Sequence, residues 1–238
     1  MNDLRKAGNN LNCQSCNQKE SGFFCNLSLE AAVEFERIRY SMSYPAGAIL
    51  FRENEAGRGI FLLCSGQVKL SVSSSAGRTL TLKIARPGEI MGLTATMSNA
   101  SYEADAETIH PCQVAFIRRD DFSRFVSKYP EIYQAVFRQL NYQYNHACEQ
   151  LRMVGLATSV HEKLARLLLQ WSAEGRQTAE GTQTKVSLTH EQIAECVGST
   201  RETVTRTLSD FRSKHLVMFK GATMMIPNRA ALEAICGA

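Results

Sequence analysis

Short runs in which apolar and polar residues alternate fill the chain between residues 29 and 127. Two clear examples are Val68–Val72 and Leu80–Ile84, where every second residue is apolar. Turn signals that contain glycine, such as Pro87-Gly88, separate these runs at regular intervals. Period-two alternation with regular turns is typical of a β barrel, sandwich or roll. Residues 29–128 therefore predict a β domain, which begins with one short helix near Leu29–Arg37.

A helical pattern replaces this alternation over residues 129–156. Residues at intervals of four and three form the a/d stripe of a coiled-coil seam. The seam positions are Tyr133, Phe137, Leu140, Tyr144, Ala147, Leu151 and Val154. Because the stripe is narrow and its flanks are polar, the pattern favours pairing of two copies through a dimerisation helix at 129–157. Packing of the helix on its own domain is the alternative.

A helix, a short turn and a second helix follow in the last part of the chain, residues 158–238. Thr189 is placed to cap the first helix, and Gly198 is placed to end it. Ser199 or Thr200 is placed to cap the second helix. This layout is typical of a helix-turn-helix, whose second helix enters the major groove of DNA.

The segments around this motif complete the predicted C-terminal domain. VHEKLARLLLQWS, at 160–172, is amphipathic and predicts a helix. Residues 174–185 are polar and contain glycine, which predicts a loop. The residues on either side of Gly221, at 216–219 and 223–226, predict a two-stranded wing. The whole is an α+β chain in four parts: 1–28, 29–128, 129–157 and 158–238.

Periodicity divides the second helix of the motif into two faces. Val204, Leu208 and Phe211 fall on one stripe and are predicted to be buried. The residues off this stripe at the N-terminal end are Arg201, Glu202, Thr205 and Arg206. Arginine donates two hydrogen bonds to guanine and glutamate accepts one from cytosine, so this end is predicted to contact bases. The capping residues Thr189 and Thr200 belong to the same predicted DNA-contacting set. A solvated charged face is the alternative.

Composition sets loose bounds on this architecture. The 238 residues suffice for two domains, and 44% hydrophobic with 21% charged residues is ordinary for a globular protein. A net charge of +4 argues only weakly for nucleic acid. The first residues are polar, and no apolar run approaches the ~20 residues that span a bilayer. A cytoplasmic location and no membrane partner are therefore expected.

Eight cysteines are present in a chain expected to be cytoplasmic, where thiols are more often free, redox-active or metal-bound than paired. Cys13, Cys16 and Cys25 share the polar segment 1–28, and Cys112 lies in the β domain. Four thiolates are what an iron–sulfur cluster needs. The alternatives are four-cysteine zinc, a thiol–disulfide switch among the first three cysteines, and a small molecule in the β domain without any cofactor.

The chain as a whole resembles the Crp/Fnr family of transcription regulators. The stretches that carry the resemblance are the long helix, LTHEQIAECVGSTRETVTRTL (188–208), SGQVKL (65–70) and RPGEIMG (86–92). The resemblance implies an N-terminal jelly-roll domain of the cyclic-nucleotide-binding type, a dimerisation helix and a C-terminal winged helix-turn-helix. It also implies a homodimer that binds a palindromic operator in double-stranded DNA and acts on RNA polymerase. No phosphate loop, nucleophile elbow or HExxH pair is present, so enzymatic activity is not expected.

The resemblance also assigns roles to single residues. By position, Arg201, Glu202 and Arg206 are expected to contact bases, and Thr205 stands where specificity is tuned. Fnr-type proteins usually lack an arginine at the place of Arg201, which favours a TGTGA-like half-site.

Cyclic AMP is not the expected signal. Where cyclic-nucleotide binders of the family have a Gly-Glu pair and an Arg-Ser pair, this chain has Gly92-Leu93 and Tyr102-Glu103. The phosphate-binding cation is missing, and a carboxylate in its place would repel a phosphate.

The signal expected instead is oxygen, nitric oxide or redox state. SYEADAETIHPCQVAF (101–116) resembles the segment that carries the internal cluster cysteine of oxygen-sensing Fnr proteins, and Cys112 falls on that cysteine. Cys13 and Cys16 fall on the first two N-terminal ligands, and Cys25 is expected to be the third. Eight residues separate Cys16 from Cys25, more than in the best-known Fnr proteins, but a slightly longer loop is only slightly harder to close. The resemblance thus implies a [4Fe–4S] cluster on these four cysteines.

Overall fold

The computed structural model describes Phe24, residues 27–173 and residues 175–237. Within these ranges the chain forms two compact units. The first, the β unit, contains the described residues up to Val72 together with Leu82–Asn145. The second, the C-terminal unit, contains Ser73–Thr81 and the chain from His146 onward. None of the described helices combines the length and the hydropathy that crossing a bilayer requires.

The β unit is an antiparallel sandwich of the predicted type, with helices against it. In chain order the elements of residues 29–128 are α1 (Leu29–Ile38), β1 (Arg39–Tyr44), β2 (Ile49–Phe51), β3 (Gly59–Ser65), β4 (Val68–Ser73), β5 (Thr79–Ala85), β6 (Ile90–Met91), α2 (Leu93–Ser98), β7 (Asp105–Thr108), β8 (Cys112–Arg118) and α3 (Arg119–Lys128). One sheet has the order β1-β8-β3-β6, and the other has the order β2-β7-β4-β5. Among the alternating apolar residues, Val68 is buried, whereas Leu80 and Leu82 are only half-buried. Their strand, β5, lies at a sheet edge with a neighbour on one side only.

Strand β8 connects the two cores of this unit. It pairs with β1 on one side and β3 on the other, with Ile117 opposite both Arg39 and Ile60. Cys112 and Val114 belong to the core between the two sheets. Ala115 and Ile117 belong to a second core, which includes apolar residues of α1 and α3. The strand therefore places Cys112 at its first residue, on the inner face of the sandwich.

The long helix α4 runs over Pro130–Leu156, which agrees with the predicted helical stretch. Proline at its first residue is favourable, because that position has no helical acceptor for an N–H. Ile132 and Val136 are almost fully buried in the core of the β unit, and Met153 is buried in the core of the C-terminal unit. The helix therefore has an inner apolar face that differs from the predicted stripe.

The C-terminal unit is a winged helix-turn-helix. Its elements are α5 (Val160–Ser172), β9 (Arg176–Thr178), β10 (Gly181–Lys185), α6 (His190–Val197), α7 (Arg201–Ser213), β11 (Met218–Lys220), β12 (Thr223–Ile226) and α8 (Arg229–Ala234). The two wing strands are joined by β10 and β9 in the order β11-β12-β10-β9. The prediction of a loop at 174–185 is wrong, because β9 and β10 form a hairpin there. Its buried residue is Thr182, whose hydroxyl bonds the Gln177 side chain, so the hairpin lacks an apolar signal.

Candidate functional site

The ends of the two helices in the helix-turn-helix are set by capping residues. Thr189 caps α6: its hydroxyl accepts from the Gln192 backbone N–H at 3.2 Å, and its own N–H donates to the Gln192 side chain at 2.9 Å. Gly198 closes α6 with a left-handed φ of 63°, which glycine adopts without strain. Of the two predicted caps for α7, Thr200 is the one used, and it accepts from the Thr203 backbone N–H.

The two faces of α7 are the predicted ones. Val204 and Phe211 have no exposed surface and Leu208 is 3% exposed. At the N-terminal end of the helix, Arg201, Glu202 and Arg206 are exposed. The structure thus brings two cations and one carboxylate together on the first turns of the recognition helix. The DNA contacts of these residues, and those of Thr189, Thr200 and Thr205, stay predictions.

Glu202 is kept ionised by its position. The pKa of its carboxyl is lowered first by a hydrogen bond from its own backbone N–H and then by one from the Thr200 hydroxyl. The charges of Arg201 and Arg206 lower this pKa further. An ionised carboxylate is an acceptor only, which suits the amino group of cytosine.

A residue outside the predicted set is part of this site. His190, the first residue of α6, is exposed, and its Nδ1 lies 2.9 Å from Oγ1 of Thr205. The same hydroxyl donates to the backbone oxygen of Arg201 at 2.8 Å. No metal-ligand or helical spacing marks His190 in the sequence, because the contact joins residues of two different helices.

Replacing Arg206 with alanine is expected to weaken specific DNA binding by about 1–3 kcal/mol and to relax selection at one base pair. The reason is that a bidentate contact to guanine discriminates against the other bases. Affinities for an operator and its single-base variants measure this. Arg212→Ala, which removes the same charge from the exposed C-terminal end of α7, is the control. Equal weakening on every sequence would mean that Arg206 contacts phosphate only.

The predicted seam of α4 is largely exposed in the single chain. The exposed fractions are 62% for Tyr133, 69% for Phe137, 68% for Tyr144 and 72% for Leu151, and Ala147 is exposed as well. Leu140 and Val154 are half-buried, against the cores of the β unit and the C-terminal unit respectively. The helix therefore carries an apolar stripe that its own chain does not cover within the described residues.

Cys112 is a buried thiol with two backbone acceptors. It is 2% exposed, and its Sγ lies 3.0 Å from the oxygen of His110 and 3.4 Å from that of Gln67. Burial raises the pKa of this thiol. Gly66, at a φ of 93°, lies directly against it: a Cβ there would be 2.5 Å from the Cys112 Sγ and 2.6 Å from the Pro111 oxygen. A side chain at position 66 would therefore collide with the start of β8.

The other predicted cluster ligands, Cys13, Cys16 and Cys25, lie outside the described residues. In the described part of the chain, no three His, Cys, Asp or Glu residues form a metal site. Cys112 fits a cluster in ligand type, since a sulfur is what iron–sulfur clusters use, and it must lose its proton to bind.

The segment expected to hold a cyclic-nucleotide phosphate is apolar and packed in this chain. Leu93 is fully buried at the start of α2. The Tyr102 ring stacks on Phe51 at 4.0 Å, and its hydroxyl donates to the Gly59 oxygen at 2.9 Å. Glu103 is exposed, so the residues that disfavour a phosphate here are Leu93 and Tyr102 rather than the Glu103 carboxylate.

Comparison with known proteins finds one matching domain family for the β unit and one for the C-terminal unit. Residues 41–129 match the cyclic nucleotide-binding domain, and residues 162–235 match the Crp-like helix-turn-helix domain. The chain is 27% identical to a CRP-like cAMP-activated global transcriptional regulator of Mycobacterium tuberculosis, over 89% of this chain and 95% of that protein. It is 24% identical to the nitrogen fixation regulation protein FixK of Bradyrhizobium diazoefficiens, over 95% and 94%. The structure of FixK2 from Bradyrhizobium japonicum superposes with a TM-score of 0.75 at 21% identity, covering 84% of this chain and 98% of that one.

A β sandwich of the cyclic-nucleotide-binding type, followed by a long helix and a Crp-like helix-turn-helix, defines a DNA-binding transcription regulator. The matches to the two curated relatives extend over nearly the full length of both. The chain belongs to the Crp/Fnr family.

Proposed function

We propose that this protein is a homodimeric regulator that binds a palindromic operator and takes its signal through a [4Fe–4S] cluster held by Cys13, Cys16, Cys25 and Cys112. The observation that carries the dimeric part is the exposed apolar stripe on α4. Large exposed apolar patches mark interaction sites, and the closed pairing of identical stripes is the commonest solution.

Pairing through α4 would suit a palindromic operator. Two-fold symmetry would present one α7 from each protomer, and successive major grooves on one face of DNA are ~34 Å apart. A dimer of this kind selects a palindrome, because each half-site meets the same residues. The bound dimer would then recruit or exclude RNA polymerase.

Phe24 is the described residue next to the N-terminal cysteines in the chain. This residue precedes Cys25 in the chain, is 7% exposed, and its ring centroid lies 4.2 Å from that of Phe35 and 6.2 Å from that of Phe125. Phe24 therefore belongs to the unit that carries Cys112, but to the core that includes α1 and α3 rather than to the core between the two sheets, where Cys112 lies. A cluster on these cysteines would supply a centre that responds to oxygen, nitric oxide or redox state.

Cys112 is expected to make ligation pH-dependent. Binding to iron requires the thiolate, and burial favours the thiol by raising its pKa. Ligation at this residue therefore releases a proton and strengthens as the pH rises towards the pKa of the thiol.

Cyclic AMP is not the signal in this proposal, although a relative is named for activation by it. Leu93 and Tyr102 supply no cation where a phosphate would need one, and both side chains are packed in the core. Burying a phosphate charge without a partner is unfavourable.

Purification without oxygen tests the cluster. We expect a brown protein with about four iron and four sulfide per chain, which bleaches in air. Cys112→Ser is expected to lose the colour and the iron. Cys236→Ser is the matched control, since the pKa of the half-buried Cys236 thiol is also raised by burial, and this residue lies in the other unit.

A colourless, iron-free wild-type protein would contradict the cluster. If that protein contained zinc, the cysteines would have a structural role. If it contained no metal and still bound a palindromic operator, the signal would be thiol oxidation or a small molecule in the β unit.

A further inference from the structure

The hydroxyl of Thr205 already has two partners inside the C-terminal unit. Its Oγ1 lies 2.8 Å from the backbone oxygen of Arg201 and 2.9 Å from Nδ1 of His190. A hydroxyl has one proton and a carbonyl oxygen can only accept, so this proton is donated to Arg201. His190 must then donate from Nδ1, so this ring nitrogen carries a proton.

Because these two bonds occupy the Thr205 hydroxyl, they determine which group of this side chain can contact a ligand. A helical threonine divides between two χ1 rotamers, because its hydroxyl can bond a carbonyl of the preceding turn. The bond from His190 stabilises the rotamer in which the hydroxyl lies towards α6. The methyl group then has a fixed place on the other branch of Cβ, while the hydroxyl proton is unavailable to a base.

His190 is itself held in place by the start of α6. It follows Thr189, whose side chain and backbone are both bonded to Gln192. The Cα and Cβ of His190 are therefore fixed relative to α6, although the residue is exposed. Across the turn at Gly198, the contact between His190 and Thr205 ties the first turn of α6 to the N-terminal half of α7.

We propose that His190 is a positioning residue for base recognition, which holds Thr205 so that its methyl group contacts the C5-methyl of a thymine in each half-site. This inference rests on the proposed contact between α7 and bases. A free threonine hydroxyl bonds several bases, whereas a methyl group favours the one base that carries a methyl in the major groove. By holding Thr205 in this rotamer, His190 makes a residue that would otherwise bond several bases selective for thymine.

Substitution of single thymines by deoxyuridine tests the contact, because it removes the C5-methyl and leaves the base pair intact. An operator is first selected from random DNA with the full-length protein prepared without oxygen. Affinities for the substituted operators are then measured at constant salt. We expect one thymine in each half-site at which uracil weakens wild-type binding about fourfold, the effect of burying one methyl group.

Variants of Thr205 and His190 identify the groups responsible. Thr205→Ser, which keeps the hydroxyl and removes the methyl, is expected to bind thymine and uracil operators equally. His190→Ala is expected to lose most of the fourfold preference, and His190→Gln, which supplies an N–H donor, to regain part of it. In a Thr205→Val background, His190→Ala is expected to leave the preference unchanged.

A purely structural role for His190 would give a different result. His190→Ala would then weaken binding to thymine and uracil operators by the same factor, which would overturn the inference. A wild-type protein with no uracil-sensitive thymine would overturn it as well. Failure of base contact by α7 is recognised separately, because Arg206→Ala would then leave base selection unchanged.

Discussion

Replacing Phe137 with glutamate is expected to convert the protein to a monomer and to abolish tight binding to a palindromic operator. Phe137 lies in the middle of the exposed stripe on α4, with 69% of its surface accessible. Symmetric pairing would bring two buried carboxylates into the seam, and burying unpaired charge is strongly unfavourable. Because the side chain is exposed in the single chain, the fold of the monomer should persist. Light scattering with size-exclusion chromatography measures the mass.

Asn145→Glu is the matched control for this substitution. Asn145 is also exposed on α4 but lies off the stripe, so the same carboxylate there should leave the mass and the operator affinity unchanged. A Phe137→Glu protein that stays dimeric would place the interface elsewhere. A protein that is monomeric but still binds the palindrome tightly would contradict the link between pairing and DNA binding.

Replacing Phe211 with alanine is expected to destabilise the C-terminal unit by about 3–5 kcal/mol. Phe211 has no exposed surface and lies in the core shared by α5, α6 and α7, and its ring centroid is 5.8 Å from that of His161 in a T-shaped arrangement. The cavity that alanine leaves there has rigid helices on several sides. Trp171 is the one tryptophan of the chain and packs against the same core, so its fluorescence during urea unfolding reports on this unit.

Phe122→Ala is the corresponding substitution in the β unit, where Phe122 is also fully buried. It should lower the stability seen by circular dichroism and leave the Trp171 transition near its wild-type midpoint. An equal shift of the Trp171 transition in both variants would mean that the two units unfold as one. A Phe211→Ala midpoint close to that of the wild type would contradict the packing described for the C-terminal unit.

Elements whose ends are set by local chemistry were predictable from the sequence. Thr189, Gly198 and Thr200 fix the helix-turn-helix through hydrogen bonds within a few residues of each other, and such bonds need no knowledge of the rest of the fold. The predicted β sandwich and long helix are confirmed. They were predictable for the same reason, because alternation and helical period are local patterns.

Features that depend on contacts between distant segments were not predictable. The hairpin of β9 and β10 buries a threonine, so its pattern is polar, and β10 is held by pairing with β12, some 40 residues later in the chain. The inner face of α4 is offset by one residue from the more regular stripe and is defined by the core it meets. His190 gains its role from Thr205, on a different helix.

For the cysteines, some properties were predictable from local sequence and others depend on contacts between distant segments. Cys112 lies on an identifiable strand, but its burial and its bonds to His110 and Gln67 follow from the pairing of β8. Resemblance rather than physics selected it from the eight cysteines, and the cluster stays a prediction.

Gly66 changes how cysteine motifs in related sequences should be judged. It has no ligand or charge to offer, yet a side chain there would meet the Pro111 oxygen and the Cys112 sulfur at once. A homologue that keeps every cysteine but has a larger residue at this turn would retain the motif while its eighth strand could not begin at the same place. If the proposed cluster is confirmed, a search that counts cysteines alone would classify as sensors some proteins that cannot place the Cys112 sulfur in this way, and the turn glycine would be the second part of the signature.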